Sequence, residues 1–107
     1  MNYYTIPGIA KNRPIEKEFI IEVICEVCNT NMEMLKKRNR KRELVMARHF
    51  ICYFLRKRTS LSLKSIGNLF GQDHTTVMHG IDTIRNLLCI EDPSVMEGIR
   101  LIKLQLD

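Results

Sequence analysis

No stretch of this sequence is apolar for long enough to cross a membrane. Its first residues, Met1-Asn2-Tyr3-Tyr4-Thr5-Ile6-Pro7-Gly8, carry neither a basic n-region nor the apolar run of an export signal. Both absences predict a cytoplasmic protein whose four cysteines are reduced thiols. Those cysteines lack metal-site order: Cys25-x-x-Cys28 sits inside a helical stripe rather than a knuckle, and Cys52 and Cys89 follow at irregular distances. Buried cysteine is an ordinary small apolar residue, so no zinc is expected. His49, His74 and His79 form no H-E-x-x-H pattern, and the glycines at 8, 67, 71, 80 and 98 never take the G-x-x-x-x-G-K-[ST] spacing of a phosphate loop. No metal and no nucleotide cofactor is therefore expected. Strand candidates, internal repeats and low-complexity tracts are also missing. Asp73-His74-Thr75 imitates a catalytic cluster, but neighbours on one helix point in different directions, so no nucleophile–base pair follows and no enzyme is expected.

What is present is one domain's worth of chain. The 107 residues are 45% hydrophobic, enough for a single core. The net charge is +5, and its distribution says more than its sum. Eleven Lys/Arg lie between Lys36 and Lys64 with one acid, Glu43, a net of +10, while the rest of the chain is net −5. Most charge runs are solvated faces. A block this dense, on an otherwise acidic chain, is the footprint of a polyanion-binding surface.

The pattern predicts an all-α bundle of five to six helices. Residues 1–13 read as an N-terminal arm, punctuated by Pro7 and Gly8, and 14–107 as the domain. A first helix is expected from Pro14 or Ile15 to Cys28, with Phe19, Ile20, Val23, Ile24 and Val27 as its buried stripe. Asn29-Thr30-Asn31 breaks it, and Thr30 or Asn31 caps a short turn over 32–35. Lys36–Arg42 reads as a basic loop. A second long helix spans Glu43 to Lys57, with Leu44, Ala47, Phe50, Ile51, Phe54 and Leu55 inward and Arg56, Lys57 and Arg58 at its negative end. Tyr53, Phe50 and Phe54 read as core aromatics rather than stacking platforms. Ser62 caps a helix over 63–70 that Gly71 ends, Asp73 caps one over 74–88, and Asp92-Pro93 opens the last, with Val95, Ile99, Ile102 and Leu106 as its stripe.

The segment from Phe70 to His79 carries the functional signal. Asp73, His74, Thr75 and Thr76 form a polar, hydrogen-bonding tip, and Val77, Ile81, Ile84 and Leu88 then recur at helical spacing. The helix has a polar N-terminus and a greasy body. A recognition helix needs that division, because the body packs on its own domain while the tip enters a DNA groove. Its free backbone N–H groups and partial positive charge suit phosphate. With the preceding helix and the glycine turn it makes a helix-turn-helix.

Ser62-Leu63-Lys64-Ser65-Ile66-Gly67-Asn68-Leu69-Phe70-Gly71 followed by Asp73-His74-Thr75-Thr76-Val77-Met78-His79 resembles the C-terminal, helix-turn-helix DNA-binding domain of the bacterial replication initiator DnaA. The resemblance covers residues 15–106 and is densest over 62–84. It implies an all-helical, Trp repressor-like fold that binds short sites in double-stranded DNA. It also implies that Asp73, His74, Thr75 and Thr76 lie in the major groove, and that His79 and Ser62 touch phosphate. The basic block adds Arg40, Lys41, Arg42 and Lys64 to the expected interface. Two departures stand out. Only Gln72 occupies the turn where the family commonly has Gly-Arg, so the turn is one residue short and its base-reading arginine is gone. Ungapped counting back from Ile66 also puts Ala47 where the family has a minor-groove arginine, with Arg48 beside it, so that either Arg48 takes over that task or nothing does. Without a phosphate loop and beginning at Met1, the chain reads as a stand-alone, monomeric, nucleoid-associated DNA-binding domain, or else as a fragment of a larger chain, serving replication or its regulation, transcription or mobile-element maintenance. The rival reading is a protein–protein module with the same fold that binds an acidic partner or antagonises DnaA. A protein-binding tip needs exposed apolar anchors, and Asp-His-Thr-Thr is not that.

Overall fold

The computed structural model describes residues 16–37 and 39–107, and the expected arm therefore lies outside the described residues. Six helices and no strand occur among those described: α1 (Lys17–Val27), α2 (Met32–Lys36), α3 (Arg42–Arg58), α4 (Leu63–Asn68), α5 (His74–Cys89) and α6 (Pro93–Leu106). The expected all-α architecture is the one observed.

Side-chain caps set most of the helix starts. The Asn31 side chain accepts from Met34 N–H at 2.9 Å, so Asn31 rather than Thr30 caps α2. Ser62 Oγ accepts from Ser65 N–H at 3.1 Å, Asp73 Oδ1 from Thr76 N–H at 2.8 Å, and Asp92 Oδ2 from Val95 N–H at 3.0 Å. Each satisfies a backbone donor that the first helical turn leaves without a partner. Left-handed residues end three helices: Asn29 after α1 (φ 56°), Gly71 after α4 (φ 67°) and Glu91 after α5 (φ 55°). In each case the next residue's N–H returns to a carbonyl five positions back: Thr30 to Cys25, Gln72 to Gly67 and Asp92 to Leu87, at 2.8–2.9 Å.

The longest helix, α3, is the axle of the domain. It packs against α1, α2, α4 and α5, and α6 closes the bundle against α1 and α5. Leu44, Ala47, Phe50, Ile51, Cys52, Phe54 and Leu55 of α3 are buried, joined by Ile20, Val23 and Ile24 of α1, Val77, Ile81 and Ile84 of α5, and Val95, Ile99 and Ile102 of α6. Each such side chain contributes about 1.5–3 kcal/mol by leaving water. One expectation fails: Phe19, placed in the core by periodicity, is 45% exposed. It lies at the edge of the α1 stripe, where the adjoining helices no longer cover it. Boundaries also move: α1 runs from Lys17 to Val27 rather than from Pro14 or Ile15 to Cys28. Helix α3 starts at Arg42, and α4 ends at Asn68, so Phe70 is buried from the turn rather than from a helix.

Candidate nucleic-acid interface

The turn between α4 and α5 is built by two glycines. Gly71 supplies the left-handed φ that ends α4. Gly67 lets the chain return closely, because a Cβ there would lie 2.3 Å from the carbonyl oxygen of Gln72. The compact turn delivers Asp73 as the cap of α5. From that cap, His74, Thr75, Thr76, Met78 and His79 are exposed, while Val77, Gly80, Ile81 and Ile84 face the core. The predicted division between polar tip and greasy body is present. The Thr76 N–H bond holds the Asp73 carboxyl below its ordinary pKa, helped by the Thr76 hydroxyl and His74.

Tertiary folding brings the basic loop to this tip. A cleft of about 430 Å³ separates them, lined by Leu35, Lys37, Asn39, Arg40 and Arg48 on one side and by Phe70, Gly71, Gln72, Asp73 and Thr76 on the other. Arg40, Lys41, Arg42, Ser62 and Lys64 are all exposed. Gln72 is half-buried in the cleft wall, its N–H committed to Gly67. Ser62 Oγ, besides capping α4, lies 3.0 Å from Ser65 Oγ as a hydroxyl donor.

The basic block is not uniformly available. Arg56 donates to the Leu61 carbonyl at 3.1 Å, and Arg58 pairs with Asp107 at 2.8 Å. Arg48 departs furthest from expectation. It was the candidate to replace a minor-groove arginine, yet it is only 9% exposed. Its Nε donates to the Leu35 carbonyl at 2.7 Å, and its Nη2 to the carbonyls of Lys37 at 2.7 Å and Asn39 at 3.0 Å. A side chain held by three backbone acceptors does not reach into a groove. Ala47, the position reached by ungapped counting, is fully buried.

His49, which belongs to no motif in the sequence, lies behind the tip. Its ring meets that of His79 edge-to-face, with centroids 6.3 Å apart. Burial lowers its pKa, and His79 and Arg48 add to the effect. Its position one turn before Tyr53 on α3 gives no sign of this, because the partner is thirty residues further along the chain.

A family model described as the bacterial dnaA protein helix-turn-helix matches residues 17–84. The chain belongs to this DnaA helix-turn-helix family. Among curated relatives, the chromosomal replication initiator protein DnaA of Chloroflexus aggregans is 42% identical over 78 residues, covering 72% of this chain and 16% of the relative. The DnaA of Crocosphaera subtropica is 41% identical over 91 residues, 78% of this chain and 20% of the relative. That of Ureaplasma parvum is 31% identical over 95 residues, covering 88% and 20%. The chain thus spans a fifth or less of the length of these relatives, and the match lies on the helix-turn-helix rather than on the rest of them. Family membership makes this a helix-turn-helix DNA-binding domain. No helix among the described residues is long and apolar enough to cross a membrane, and no group of three His, Cys, Asp or Glu among them could hold a metal ion. Burial raises the thiol pKa of Cys28 to about 11 and of Cys52 to about 12. Both thiols are protonated near neutrality, as befits packing residues.

Proposed function

We propose that this chain binds a specific double-stranded DNA site as a monomer, α5 in the major groove and the basic loop on the adjacent backbone, in replication initiation or its control. The observation that carries this is the juxtaposition of a polar helix tip with exposed cations across one cleft. His74, Thr75 and Thr76 would read base edges or thymine methyls, with Asp73 at the same tip. Arg40, Lys41, Arg42 and Lys64 would meet phosphates, with His79 and Ser62 beside them. Gln72 would read adenine, or nothing, where the family's arginine reads guanine, since a glutamine amide matches adenine N6 and N7.

Selection from a random duplex pool, followed by gel-shift titration of the selected and a scrambled site at two salt concentrations, tests the reading. A recurrent motif bound tighter than scrambled duplex supports it. Equal binding to all duplexes would leave a polyanion binder without specificity. No duplex binding at all would favour the protein-partner reading, for which the half-exposed Met78 on the outer face of α5 is the available apolar anchor.

A further inference from the structure

Few hydrogen bonds hold the described residues of the basic loop in place. Among the described residues, Lys37 N–H donates to Met34 at 3.3 Å and Lys41 N–H to Asn39 Oδ1 at 3.0 Å, and the Lys41 carbonyl accepts the first helical bond of α3 from Val45. These bonds are local. What ties the loop's middle to the core is Arg48, whose fork spans the carbonyls of Leu35, Lys37 and Asn39, thirteen, eleven and nine residues away in sequence.

We propose that Arg48 is a positioning residue for phosphate binding: it indexes the basic loop against the α4–α5 turn, so that the loop's exposed cations meet the backbone beside the groove that α5 enters. The proposal rests on the DNA-binding reading and assigns a role that this reading alone does not. Two features support it besides the hydrogen bonds. Arg48 is the one charged side chain buried among the described residues. No carboxylate among those residues lies within ion-pair distance of it. Carbonyl dipoles accept from its Nε and Nη2 but leave its charge uncancelled, in the wall of the cleft that Lys37 and Arg40 also line. Arginine stays cationic even where burial lowers its pKa, as it does here. The described loop residues and the strut therefore form a cationic unit in which no described carboxylate pairs with Arg48, and a phosphodiester backbone supplies a counter-ion. Lysine cannot substitute, because a compact ammonium does not span three separated acceptors as a planar fork does.

The test is a salt series of duplex affinity on the wild type, Arg48→Met, Arg48→Lys and the Arg40→Ala/Lys41→Ala/Arg42→Ala triple variant, each checked for helix content and cooperative melting. One lost phosphate contact reduces the slope of log K against log salt by about 0.9. A displaced loop removes several, so Arg48→Met should reduce it by about 2 or more and weaken binding at least ~10-fold near 0.1 M salt. Added to the triple variant, Arg48→Met should do almost nothing further, because the contacts it organises are already gone. Added to Thr75→Ala at the tip, its effect should multiply. If Arg48→Met does not fold, Arg48→Lys, which keeps stem and charge, should fold and show the same slope loss. A slope change of one contact or less, a wild-type slope in Arg48→Lys, or full multiplication with the triple variant overturns the proposal. A wild type that binds no duplex defeats the functional reading and takes this one with it. A wild type that binds while the Arg48 variants keep its slope defeats only the role of Arg48.

Discussion

Replacing Gly67 with alanine sets two effects of known sign against each other. Gly67 is buried inside α4, and alanine is the better helix former by about 1 kcal/mol. On that ground alone the variant should be more stable. The added methyl, however, would sit 2.3 Å from the Gln72 carbonyl oxygen and 3.2 Å from its carbon. That is about 1 Å inside ordinary contact, and the neighbour is main chain rather than a side chain that can swing away. Relieving the overlap means moving the turn that Gly71 and the Gln72–Gly67 hydrogen bond define. Overpacking of this kind typically costs about 1–3 kcal/mol, and more where backbone must shift. A net loss of roughly 1–2 kcal/mol is expected, which in a domain of this size lowers Tm by roughly 5–15 °C. The displaced turn also carries the Asp73 cap, so affinity for the selected site should fall more than affinity for scrambled duplex. Thermal unfolding followed by circular dichroism, with gel shifts on both duplexes, measures the two effects. Gly71→Ala is the control: nothing lies within 4 Å of its would-be Cβ, so it should show only the left-handed backbone penalty, about 1–2 kcal/mol. A Tm for Gly67→Ala equal to or above wild type would refute the reasoning, because helix propensity would then have won and the turn would be soft.

Three further outcomes are expected. Asp73→Ala should lower Tm, and Asp73→Asn should restore most of the loss, since an amide oxygen can still accept from Thr76 N–H. Because the folded carboxyl titrates below its ordinary value, the ionised cap's contribution is present above the unfolded-chain pKa and lost as pH falls through the folded one; the difference in stability between wild type and Asp73→Asn should be constant above that range and change only within it. His49 is depressed below its ordinary value, so the unfolded chain binds its proton first, and stability falls as pH drops from about 7 towards 5. His49→Gln should flatten that dependence in melts at the two pH values; an unchanged dependence would exonerate His49. Thr75→Ala should cost on the order of 1–3 kcal/mol on the selected site and little on scrambled duplex; equal losses would make Thr75 a backbone-positioning contact only.

The sequence by itself determined the helices, their caps and the character of the tip. These are local properties. Apolar spacing marks the inward face of α5, and a cap such as Asp73 acts on an N–H three residues away. The Asp73-to-His79 string was legible for the same reason, as was the concentration of charge. What the tertiary structure decided was the fate of individual side chains. Arg48, Arg56 and Arg58 look alike in a basic run. One is a buried strut, one caps a nearby carbonyl and one reaches the final residue, forty-nine positions on. Phe19 fits a helical stripe but lies beyond the edge of what the bundle covers. Gly67 reads as an ordinary helix-weakening residue until the chain returns over it. His49 acquires its neighbour only when α5 packs on α3. Periodicity shows which way a residue points from its own helix, whereas its partner depends on where the rest of the chain comes to lie.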